Sequence, residues 1–198
     1  RRGALSVPEA FTRQVRRMMT DPKAEALATR FAAQWLRLQD LDKIEPDALS
    51  YPYYDEALAE AMIRETERLF EHLVREDRPA MELITADYTF VNDRLARHYG
   101  LPGVSGTEFR KVTYPDDQRR GILGHASILT LTSHGNRTSP VLRGKWIMEV
   151  LLGSPPPPPP NDVPDLEETK GATDGRLLSV AEQLAMHRAN PSCSSCHN

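Results

Sequence analysis

The chain has 198 residues, a formal net charge of −3 and a mean hydropathy of −0.52. That length suits one large domain or two small ones, and the slightly acidic balance argues against a nucleic-acid binder, which presents a basic surface. No run approaches the roughly 18 apolar residues of a membrane span, so no transmembrane segment is expected. Arg1-Arg2-Gly3-Ala4-Leu5 carries charge with no apolar run behind it and does not read as a signal peptide.

Most of the chain reads as helix. Ser6-Val7-Pro8-Glu9 has the form of a capping box with proline in the first turn, predicting a helix to about Met19. Asp21-Pro22 restarts a second helix, with Asp21 as N-cap. Its Leu27, Ala28, Phe31, Trp35 and Leu38 recur at three- and four-residue steps and define a buried face. After a loop marked by Glu45-Pro46 and Tyr51-Pro52, a long helix is predicted from about Tyr54 to Arg75. Leu58, Met62, Leu69 and Leu73 share one face of it, with Glu and Arg on the other. A further helix is predicted over Thr89 to Tyr99, ended by Gly100.

Leu101 to Asp117 breaks the pattern with glycines, prolines and one alternating run, Phe109-Arg110-Lys111-Val112-Thr113, a short strand or hairpin. Helix resumes from Arg119 to about Leu131, and again from Ser139-Pro140 to Leu152, where Gly153 stops it. Six prolines, Pro155 to Pro160, lack amide donors and predict an extended polyproline II segment. A second capping box, Ser179-Val180-Ala181-Glu182, opens a short helix. The predicted fold class is mainly α. It comprises a helical domain over 1–153 with a short β/loop insertion and a sub-boundary near 100–118. A proline-rich spacer over 154–177 leads to a small segment over 178–198. No internal repeat is visible.

That last segment contains Cys193-Ser194-Ser195-Cys196-His197, followed by Asn198, and its two cysteines are the only ones in the chain. Cys-x-x-Cys-His is the attachment sequence of a c-type haem. Two thiols three residues apart can each add across one porphyrin vinyl group, and the next histidine then lies where a ring nitrogen ligates the iron. Two other chemistries use the same spacing. A redox dithiol normally follows a strand, whereas a helix-like segment and Pro191 precede this one. A structural zinc site wants a second ligand pair, for which His187 is the nearest candidate.

Three stretches carry a resemblance. They are Phe31-Ala32-Ala33-Gln34-Trp35-Leu36 through Asp42, Ala86-Asp87-Tyr88-Thr89-Phe90-Val91-Asn92 through Gly100, and Gly121-Ile122-Leu123-Gly124-His125-Ala126-Ser127 through Asn136-Arg137-Thr138-Ser139-Pro140 to Trp146. With the proline run and the final segment, they make the chain resemble exported planctomycete-type proteins built of adjacent domains of unknown function with a cytochrome c-like segment. The resemblance implies an exported, mostly helical, haem-linked protein and supplies no activity. Members of that family continue beyond the haem motif, so this sequence is expected to be a portion of a longer protein.

The expectation is therefore an exported c-type cytochrome with haem c on Cys193 and Cys196 and His197 as the proximal iron ligand. Its location would be periplasmic or extracellular, because covalent haem attachment takes place outside the cytoplasm. Its partner would be a redox protein or a larger envelope assembly. Two other classes stay open: a haem enzyme of peroxidase or oxygenase type, and a structural subunit. Candidates for a second iron ligand or an active-site role are His125, His134, Met186 and His187, while His72 and His98 read as surface or packing residues. The polar run Thr132 to Ser139 is either an anion or small-molecule site with Arg137 and Arg143 or simply the caps of two helices. No nucleotide-binding loop, nucleophile elbow or zinc-protease motif is present in the sequence.

Overall fold

The computed structural model describes residues 4–158 and 178–189. The chain divides into two units, Arg1–Ser154 and Pro155–Asn198. As the sequence predicts, the described residues are mainly helical, with two small antiparallel sheets.

The first helix, α1 (Pro8–Thr20), buries none of its side chains. The predicted capping box at Ser6 is not what starts it: the N-cap position falls on Val7, and proline's fixed φ at the next residue sets the first turn. Asp21 then caps as predicted, accepting the Lys23 amide at 2.9 Å. The helix expected beyond it is irregular. A 3-10 turn (Pro22–Glu25) passes into a π-helical stretch (Leu27–Ala32) and a short α2 (Ala33–Trp35). The buried line is accordingly Ala28, Ala32 and Leu36. Leu27 and Phe31, predicted on the buried face, are 42% and 57% exposed. The i→i+5 turn of this stretch has a different angular step from the α-helix that the predicted face assumed, and the inward line falls one residue later. Phe31 instead stacks on Trp35 at 6.2 Å, and Trp35 Nε1 donates to the Val150 carbonyl at 2.9 Å.

Central to this unit is α3 (Glu56–Arg75). The Asp55 carboxylate caps it by accepting the Leu58 amide at 2.8 Å. Leu58, Met62, Leu69 and Leu73 are buried as predicted. A short α4 (Glu82–Thr85) leads into β1 (Tyr88–Val91), and here the structure corrects the predicted helix over Thr89–Tyr99. Tyr-Thr-Phe-Val is aromatic and β-branched, and it pairs antiparallel with β2 (Arg110–Thr113), Tyr88 opposite Thr113 and Val91 opposite Arg110. Helix begins only at α5 (Asp93–Tyr99), where Asn92 Oδ1 accepts the Leu95 amide at 3.0 Å, and ends at Gly100 with φ 69°. Asn92→Ala is expected to cost about 1 kcal/mol, read as a lowered urea midpoint with an unchanged slope.

The helix predicted over 119–131 is also interrupted. Gly121, at φ 45°, leads into a 3-10 turn (Ile122–Gly124), His125 is extended, and α6 (Ala126–Leu131) follows. The polar run beyond it is a hairpin, β3 (Ser133–His134) against β4 (Arg137–Thr138), turning at Gly135-Asn136. Ser139 then caps α7 (Pro140–Trp146) through the Leu142 amide at 3.3 Å. A π-helical stretch (Ile147–Leu151) completes that helix, and Gly153 at φ 61° terminates it. Two apolar clusters result. One joins Leu36, Leu69, Ile122 and Trp146, and the other joins Leu58, Met62, Leu95 and Ala126.

In the second unit, residues 155–158 form neither helix nor strand, and the rest of the proline run lies outside the described residues. Helix α8 (Val180–Ala189) starts at the predicted capping box. The Ser179 amide donates to Glu182 Oε2 at 2.8 Å, and the Glu182 amide donates to Ser179 Oγ at 3.3 Å.

Candidate functional site

Cys193, Cys196 and His197 lie outside the described residues, as does the His187 side chain. Met186 is 62% exposed on α8. The chemistry of the terminal donor set, two thiols and an imidazole in fixed spacing, fits a covalently held haem. The two other predicted histidines stand in contrasting places within the first unit. His125 is wholly buried, and His134 is exposed on β3.

His125 belongs to a cluster of polar side chains sealed between α3, β1, α5 and α6. Its Nδ1 lies 2.9 Å from Thr66 Oγ1, which in turn contacts Ser127 Oγ at 2.8 Å. Glu65, also fully buried, accepts the Thr89 hydroxyl on Oε1 at 2.5 Å and the Tyr99 hydroxyl on Oε2 at 2.6 Å. Tyr99 then accepts the Ala126 amide at 2.7 Å, so one phenol links the carboxylate to the start of α6. The Arg119 guanidinium lies 4.3 Å above the Tyr99 ring and donates to the Gly124 carbonyl at 2.7 Å. His125 Nε2 faces Glu65 Oε1 at 3.9 Å, too far for a hydrogen bond.

Burial dominates the protonation of this cluster. It pushes the Glu65 carboxyl up to about 7 against the opposing pull of the Thr89 and Tyr99 hydroxyls. It pushes the His125 imidazole down to about 3, with the Arg119 charge acting in the same direction. The Tyr99 and Tyr114 phenols are both raised, chiefly by burial and next by the Glu65 charge. Glu65 and His125 are both 0% exposed. Their hydrogen bonds tie three segments of chain to α3.

Sequence reasoning missed Glu65. The signal was its position three residues after Met62 and four before Leu69, inside the apolar stripe rather than on the polar face. An isolated carboxylate on such a stripe requires buried partners, and Thr89, Tyr99 and His125 are distant in sequence.

The hairpin after α6 opens a second site. A cavity of about 420 Å³ is walled by Tyr51, Tyr53 and Tyr54 from the loop before α3 and by His98 from α5. Ile44, Met62 and Leu129 give it aliphatic surface, and His134, Arg137 and Arg143 give it basic groups. The hairpin is held against the wall by the Asp47 amide, which donates to the Gly135 carbonyl at 2.8 Å. Only glycine fits there, since a Cβ on Gly135 would lie 2.7 Å from the Glu45 carbonyl oxygen. His98, read from sequence as a surface or packing residue, lines this cavity with its ring 6.0 Å from that of Tyr53. Burial, and after it the Arg119 and Arg94 charges, lower its pKa. His72 packs edge-on against Tyr88 at 5.6 Å.

Among the described residues no helix is long and apolar enough to cross a membrane, and no group of three or more His, Cys, Asp or Glu is placed to hold a metal ion.

Fold and site together define a mainly helical domain closed around a buried polar cluster, with an aromatic cavity on one side. The chain belongs to the PSD4 family, proteins of unknown function (DUF1592), whose family model matches residues 1–101. Residues 119–198 match an adjacent family, PSCyt3, also of unknown function (DUF1588). No curated protein and no solved structure matches the chain.

Proposed function

We propose that this chain is part of an exported, periplasmic or extracellular c-type haem protein that moves electrons. The observation that carries the reading is the terminal Cys-x-x-Cys-His, the chain's only pair of cysteines. The cytochrome-like name of the family matched over 119–198 is in keeping with it. Cys193 and Cys196 would hold the porphyrin through thioether bonds and His197 would ligate its iron; the bound group supplies one-electron chemistry. The helical body, its polar core shut away from solvent, serves as the surface on which a redox partner or an envelope assembly docks.

The test is export of the full chain in a host that matures c-type cytochromes. A reduced α-band and a mass increase of one haem are expected, both lost in Cys193→Ala/Cys196→Ala. A colourless protein of unmodified mass from the same host, alongside a control cytochrome that matures, would falsify the reading.

A further inference from the structure

The cavity beside the hairpin has a use that the haem reading does not touch. Its interior is apolar and aromatic: Met62 is buried, Ile44 and Leu129 are half-buried, and the flat ring of Tyr54 stands beside them. One cation at its edge, Arg143, is held by hydroxyl groups. Arg143 is half-buried, and its Nε and Nη2 donate to the hydroxyls of Thr132 at 3.4 Å and Thr138 at 3.0 Å. Both partners are neutral, so the guanidinium is oriented while its charge is left uncompensated by them. Such a group recognises a carboxylate through paired N–H donors. An inorganic anion would satisfy the charge and leave the aromatic wall wet. A ligand that fills about 420 Å³ and stacks on tyrosine must carry a flat apolar body as well.

We infer that this cavity is a binding site for a small aromatic carboxylate, its carboxylate on Arg143 and its ring against the tyrosine wall. The site lies wholly within residues 44–143, so it stands or falls independently of haem attachment.

The test is calorimetry and saturation-transfer NMR on the full chain with benzoate, its neutral isostere benzamide, and acetate, which has the charge without the ring. Benzoate is expected to bind with Kd on the order of 0.1–1 mM, and benzamide and acetate about tenfold or more weaker. Arg143→Met is expected to erase the preference of benzoate over benzamide. Leu129→Trp, which fills the cavity, is expected to weaken both. Circular dichroism checks that each variant folds, and the ranking of the three probes on the unaltered chain needs no variant. Absence of benzoate binding, equal affinity for benzamide, or benzoate binding unchanged in folded Arg143→Met overturns the proposal.

Discussion

Gly121→Ala is expected to be the most damaging single-methyl change in the first unit, lowering its stability by about 3 kcal/mol or more. Two effects add. Gly121 has φ 45° with ψ −157°, a conformation that glycine enters freely and an L-residue enters only with strain of about 1–3 kcal/mol. A Cβ there would also lie 2.5 Å from the Ile84 carbonyl carbon and 2.6 Å from its oxygen, and would press on the Leu83 carbonyl oxygen. These are backbone atoms at the end of α4, so no rotamer change relieves the contact. Relief requires moving the segment whose Gly121 amide donates to the Ala86 carbonyl at 2.9 Å. That movement would displace the turn leading to His125, and with it the contact to Thr66. Gly144→Ala in α7 is the matched control, since its Cβ would meet nothing within 4 Å. It is expected to be neutral or slightly stabilising through helix propensity. Urea midpoints of the two variants, measured side by side, distinguish the expected loss from a general intolerance of added methyls. A Gly121→Ala midpoint equal to that of Gly144→Ala would show that the close approach is wrongly placed.

The second large effect is a pH dependence that appears only when the buried pair is split. Glu65 titrates near 7 in the folded chain against an ordinary value of 4.5. A raised folded pKa means that the folded state holds the proton longer, so stability is full below pH 4.5 and falls as pH rises to 7. The loss is on the order of 3 kcal/mol. His125 runs the other way. Its imidazole titrates near 3 when folded and near 6.5 otherwise. Its contribution is full above pH 6.5 and is lost as pH falls toward 3. Between about pH 4.5 and 6.5 the two slopes oppose and nearly cancel, so the unaltered chain gains no net slope from them there.

Replacing either residue should expose the other. His125→Asn keeps a polar atom near Thr66 and leaves Glu65 alone, so its stability should fall relative to the unaltered chain as pH rises from 4.5 to 6.5. Glu65→Gln leaves His125 alone, and its relative stability should fall as pH drops from 6.5 to 4.5. Exposed carboxylates contribute equally to all three proteins and drop out of the comparison. Urea midpoints at half-unit pH steps read the result. Profiles that run parallel for both variants would show that burial does not set these two protonation states.

How much of this was legible beforehand varies by element. The start of α8 was readable because Ser179 and Glu182 bond to each other's backbone within one turn. The ends at Gly100 and Gly153 were readable because only glycine takes the positive φ at low cost. The tract Tyr88–Val91 was misread because four residues do not separate strand from helix by periodicity, and its partner lies about twenty residues on. The segment 27–32 was misread because a π turn shifts which residues face inward without changing composition. Of the cavity, the hairpin residues were singled out from sequence. The tyrosine wall and His98 were not, because their approach depends on the packing of α3, α5 and α6.

By itself the sequence determined much of what acts within about one turn of chain: the caps at Asp21, Asn92, Ser139 and Ser179, the glycine stops at Gly100 and Gly153, and the Cys-x-x-Cys-His spacing on which the haem proposal rests. Such features are set by covalent reach and local backbone preference, which the order of residues specifies directly. Only the tertiary structure decided that Glu65 and His125 meet inside the core, that Tyr99 joins them, and that tyrosines, an oriented arginine and a hairpin surround one cavity. Those outcomes arise from desolvation and packing between segments remote in sequence, and burial has no value until the fold has assigned each side chain its neighbours.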